Sequence, residues 1–172
     1  MQSSIEEKRE SICQTLKQLE SRETLSQEDY ELLRTWAANS NSEIRTLIVG
    51  FLAQRTEQSA GELLLTLSRD PDPAVRAYAL DVLCNFPGHD GTYELLIGKL
   101  LSCHDKIAYY ASLIEKFGDP RALDTLQKMI QFSDIGYVDY IELRNAIESL
   151  GGDPGEERTF YGDPDYEAMR NV

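Results

Sequence analysis

The feature that most constrains this 172-residue chain is a short helical segment that recurs four times. Its copies are Glu43 to Ile48, Ala74 to Ala79, Lys106 to Ala111 and Glu142 to Ile147. Their anchors Ile44, Val75, Ile107 and Leu143 stand 31, 32 and 36 residues apart. A period of this length marks stacked supersecondary units, each too small to bury its own apolar face. Each copy opens a run whose apolar residues return at intervals of three and four, as Val75, Tyr78, Ala79, Val82, Leu83 and Phe86 do. A stripe on one side of a helix must be covered by a neighbour. On this reading Tyr78, and Tyr110 in the following copy, belong to the core.

Partner helices lie between the copies. Leu63, Leu64 and Leu67 mark one; Leu95, Leu96, Leu100 and Leu101 the next; Ala122, Leu123, Leu126 and Ile130 a third. Gly118-Asp119-Pro120 reads as a helix stop followed by a helix start. Glycine ends one helix in the left-handed conformation, aspartate caps the next, and proline suits the first turn. Asp70-Pro71-Asp72-Pro73 does the same one unit earlier. No alternating run of strand length survives. The expected class is therefore all-α, with about eight or nine helices in antiparallel pairs. Residues 1–24 read as an N-terminal capping helix carrying Ile5, Ile12, Leu16 and Leu19, and residues 25–152 as the repeat array. Leu150-Gly151-Gly152-Asp153-Pro154 repeats the start signal, but Gly155 to Thr159 follow it with no apolar stripe. Residues 153–172 are thus expected to be an acidic tail, disordered or folded back, whose removal after Asp153 leaves the array folded.

Asp70-x-Asp72-x-x-Val75-Arg76-x-x-Ala79-x-x-x-Leu83 resembles the second helix of a HEAT repeat. Gly118-Asp119-Pro120-Arg121-Ala122-x-x-x-Leu126 looks like the opening of HEAT-like repeats of the phycobilisome-lyase type. The resemblance covers roughly residues 25–152, with Ala108 in place of the repeat arginine and Asn39 in place of Asp70. It implies a short alpha-alpha superhelix of about four helix pairs, with a groove lined by the second helices. It also implies that the recurring Arg45, Arg76 and Arg144 are structural, holding a turn through an aspartate such as Asp70 or Asp72. It does not imply one activity.

The net charge is −13, and residues 133–172, with 10 acids against 3 bases, carry more than half of it. Such a field repels phosphate backbones and attracts basic partners. No apolar run approaches the roughly 20 residues a bilayer requires. The polar, acidic stretch from Met1 to Glu10 lacks the form of a secretory signal. Cys13, Cys84 and Cys103 form no paired framework, which points to a reducing compartment and a cytoplasmic location. No metal-ligand spacing, phosphate loop or nucleophile motif is present. Cys103-His104-Asp105 falls at a helix start, where His104 or Asp105 reads as a cap. No catalytic residue, cofactor or metal is expected.

Tyr109, Tyr137 and Tyr140 fall on the second helices, where tyrosine favours binding by burying much area at small entropic cost. With Glu43, Asp81, Glu115, Asp139, Glu142 and Glu148 they would give an acidic, aromatic concave surface. The function expected is a non-catalytic protein-binding module, an adaptor or inhibitor of a basic protein. One specific form is an immunity protein that neutralises a nucleic-acid-degrading toxin. The lyase-type resemblance offers an alternative, an accessory for chromophore attachment or assembly. Nucleic-acid binding requires a positive face and is disfavoured.

Overall fold

A computed structural model describes residues 2–86 and 89–170, with side chains from residue 6 onward. Among the described residues there are ten α-helices and no strand. The fold is all-α. The helices group into two compact units, one within Met1–Leu83 and one within Cys84–Val172.

In the first unit α1 (Gln2–Glu20) lies against α3 (Ser42–Leu52). There α2 (Gln27–Ala37) packs on α3, and α4 (Gln58–Leu67) on α5 (Pro73–Leu83). Ile12, Leu16 and Leu19 are the buried side of α1; Ile5 lies outside the described side chains. Ser26 and Asp29 form a reciprocal capping box that starts α2. The α3–α5 contact buries Ile44, Ile48, Val75, Ala79 and Leu83. Tyr78 departs from expectation, being 38% exposed. It stands at the border of the α5 stripe, and its hydroxyl would meet a Cβ placed on Gly50 of α3 at 3.4 Å. The ring therefore lies over α3 instead of entering the core.

Two of the recurring arginines, Arg45 and Arg76, hold turns, by two routes. Arg45 is buried and grips Asp70 with two parallel bonds of 2.7 and 2.8 Å. Its remaining nitrogen donates to the carbonyls of Asn39 and Ser40. Asn39 and Asp70 do occupy equivalent places. The side-chain oxygen of each accepts from the backbone two residues on, at 2.9 and 2.8 Å. Arg76 donates to the Asp70 and Pro71 carbonyls. Arg144 does something different, described below.

In the second unit α6 (Asp90–Ser102) packs on α7 (Ile107–Phe117), α7 on α9 (Tyr137–Ser149), and α8 (Leu123–Met129) on α9. Tyr110, Leu113, Ile114, Leu143 and Ile147 are buried there, while Leu101 points outward. Gly118 has φ 73° and ends α7, and Asp119 accepts from the Arg121 amide at 3.0 Å. A 3-10 turn, Pro120–Ala122, then leads into α8. The tail is folded back. It carries α10 (Pro164–Arg170) against α9, and the described residues thus hold ten α-helices against the eight or nine expected.

The end of α9 is sterically exacting. Gly151, at φ 82°, and Gly152 close it by donating to Glu148 and Ile147 at 2.9 and 2.8 Å. A Cβ at Gly152 would stand 2.5 Å from Leu123 Cδ2, 2.9 Å from Ile147 Cγ2 and 3.2 Å from the Ile147 carbonyl. No single rotamer change relieves all three. Gly152→Ala is expected to destabilise by about 2 kcal/mol, read as a lower melting temperature. An unchanged melt would mean that α8 and α9 are less tightly apposed than described here.

Candidate functional site

Glu43 and Asp81 belong to the first unit, and both are exposed. Glu43 lies 3.7 Å from Arg9, a solvated pair. The other seven expected residues, Tyr109, Glu115, Tyr137, Asp139, Tyr140, Glu142 and Glu148, lie in the second unit. There they divide between two jobs.

Asp139 is structural. Its carboxylate accepts from the Ala108 amide at 2.9 Å, at the first turn of α7. The residue before that helix, Lys106, supplies no side-chain cap. The cap expected from His104 or Asp105 therefore comes from α9, and it ties the N-terminal turns of α7 and α9 together. The same device recurs one helix later. Gly136 cannot cap α9, and Asp163 of the tail accepts from the Tyr137 amide at 3.0 Å. Amide donors from Tyr137, Tyr166 and Asp165, the first most strongly, hold the Asp163 carboxyl below the ordinary carboxylate range. In the first unit Asp72 is likewise held low by the Ala74 and Val75 amides, with the Ser42 hydroxyl adding to them.

Tyr137 and Tyr140 serve the tail. Tyr140 is 2% exposed, and its hydroxyl is saturated. It donates to the Glu156 carbonyl at 3.2 Å and accepts from Arg144 and from the Arg158 amide, each at 3.1 Å. Arg144 also reaches the Gly155 carbonyl and Glu148. Arg158 crosses the Tyr140 and Phe160 rings and donates to the Ile130 and Phe132 carbonyls beyond α8. Tyr137 packs edge-on against Phe160 and Tyr166, with centroids 5.7 and 5.1 Å away. Residues 153–170 are thus a strap over α9, and the two tyrosines expected to meet a partner meet the strap. Sequence reasoning gave no role to Arg158 or Asp163, and took Phe160 and Tyr166 only as part of a tail that is disordered or folded back. One signal was available: Asp163-Pro164 repeats the Asp-Pro start already seen at Asp119-Pro120 and Asp153-Pro154.

Of the expected set in the second unit, Tyr109 and Glu148 are exposed, and Glu115 and Glu142 are half-buried. Tyr109 is 40% exposed on α7, and Val138 joins it on α9 at 46%. Glu115 lies on α7, and Glu142 and Glu148 lie on α9, where Glu148 is paired to Arg144 at 3.1 Å. Among the described residues no three His, Cys, Asp or Glu side chains gather to hold a metal ion. His89 caps α6 by accepting from the Thr92 amide at 3.2 Å. No described helix is long and apolar enough to cross a membrane. No protein-family model matches the chain, and no curated protein shows significant similarity to it.

Proposed function

We propose that this chain is a non-catalytic, HEAT-like protein-binding module, an adaptor or inhibitor, built from four helix pairs behind the capping helix α1. It receives a basic protein segment on the outward sides of α7 and α9. The observation that carries this reading is the exposure of Tyr109 and Val138, each in the first turn of its helix, on two turns that Asp139 holds together, with the half-buried Glu115 and Glu142 further along the same helices. Exposed aromatic and apolar groups mark binding surfaces. The surrounding charge, −7 over residues 133–172, selects a cationic partner and speeds its approach. Asp139, Tyr137 and Tyr140 support this face without touching the partner.

The test uses the full chain and the protein it retains from its native cells. Association is expected to slow several-fold between low and physiological salt, since exposed charges are screened beyond about 8 Å. Glu115→Lys with Glu142→Lys should cut the association rate by about tenfold at an unchanged melting temperature. Rates indifferent both to salt and to the double reversal would remove this function.

A further inference from the structure

The strap holds a cation between two aromatic rings. Tyr161 and Tyr166 stand nearly perpendicular, at 85°, with centroids 6.2 Å apart. The guanidinium of Arg170 sits in the corner they form, 5.5 Å from one centroid and 5.8 Å from the other. Both distances fall within the range in which a ring quadrupole attracts a cation. Glu167 closes the third side, 3.8 Å from the guanidinium. Its carboxylate also accepts from the Gly162 amide. Gly162, at φ 89°, makes the turn that swings Tyr161 across from Tyr166.

The occupant is weakly held. The Arg170 side chain is 53% exposed and lies on the last turn of a seven-residue helix in which no residue is buried. An exposed pair three residues apart contributes little. Tyr161 is 73% exposed, so this ring has little to cover it but the arginine. The corner is thus a two-ring, one-carboxylate receptor filled by a displaceable side chain of the same chain.

We propose that this corner is a guanidinium-recognition site for arginine side chains of the basic partner, and that Arg170 occupies it in cis until the partner displaces it. The proposal takes from the protein-binding reading only the identity of what delivers the arginine. Guanidinium suits the corner better than ammonium, because its plane can lie on a ring while its fork meets a carboxylate.

The probes are acetylated tetra-arginine amide and acetylated tetra-lysine amide, titrated into the full chain at low salt. Arg170→Ala is expected to bind the arginine peptide about five-fold tighter than the parent, with less than a two-fold gain for the lysine peptide. Tyr161→Phe in that background should keep the gain, and Tyr161→Ala should abolish it. Tyr161 is 73% exposed and meets Tyr166 and Arg170 at the surface, so neither change threatens folding. If Arg170→Ala improves both peptides equally, the effect is one of net charge and the corner falls. It falls also if Tyr161→Ala leaves the gain intact. The two proposals fail separately. Partner association that follows Glu115 and Glu142 but ignores Tyr161 keeps the α7/α9 face and rejects the corner. Peptide binding that follows Tyr161, with partner association blind to both reversals, does the opposite.

Discussion

Arg45→Ala is expected to cost about 3 kcal/mol in the stability of the first unit. The change removes both bonds to Asp70 and strands a carboxylate that is itself shielded from water. It also leaves the Asn39 and Ser40 carbonyls without their donor. The Arg45 and Asp70 side chains keep 9% and 4% of their exposure, so the cost belongs at the lower end of the range for buried ion pairs. The pH dependence follows from the same contact. The Arg45 guanidinium, ahead of the Asp72 amide, holds the Asp70 carboxyl below its ordinary value. A depressed carboxyl adds stability above its unfolded value, near about 3.9, and that stability is lost as pH falls through the lower folded value. Below roughly pH 4 the parent should therefore lose stability that Arg45→Ala lacks at every pH, so the two acid-melting curves converge. Parallel curves, or a difference near zero at neutral pH, would detach Asp70 from this role.

Ending the chain at Asp153 is expected to destabilise the second unit by about 3 kcal/mol. The strap covers the Tyr140 ring, which would otherwise meet water, and brings Phe160 and Tyr166 against Tyr137. Its loss also uncaps α9, because Asp163 supplies the acceptor that Gly136 lacks. Arg158 no longer closes the Ile130 and Phe132 carbonyls. Thermal unfolding and proteolysis of the shortened chain read the effect directly. The same melt for both lengths would restore the view that residues beyond 153 are only an appendage.

That view was the natural one from sequence, because repeats are read through apolar periodicity and the periodicity stops at Gly152. The strap is instead held by rings, by Arg158 and by one aspartate, whose partners lie 16 to 28 residues earlier in the chain. Nothing in the local pattern of residues 155–163 announces such contacts. Asp139 illustrates the same limit. Its composition and helix assign it to an acidic surface, but its neighbour is an amide 31 residues away. Tyr140 and Tyr78 exchanged their expected environments for a related reason: a residue at the border of a helical stripe is sent inward or outward by whatever covers that border. A strap covers Tyr140, while Tyr78 lies at Gly50 of α3 and stays 38% exposed.

What the sequence determined by itself is everything decided within a turn or two of chain. The helical class, the starts at Asp72 and Asp119, the stops at Gly118 and Gly151, and the buried side of each repeat helix all follow from spacing and capping chemistry, which are local. The resemblance to HEAT-like repeats also pointed to an aspartate partner for Arg45, with Asp70 and Asp72 both open, and the fold chose Asp70. Tertiary structure alone decided which carboxylates remain on the surface and which cap a neighbouring helix. It also decided that the Arg170 guanidinium lies in the corner between Tyr161 and Tyr166. Those outcomes depend on which distant backbone amide or ring comes within hydrogen-bond or van der Waals reach, and only the folded chain sets that distance.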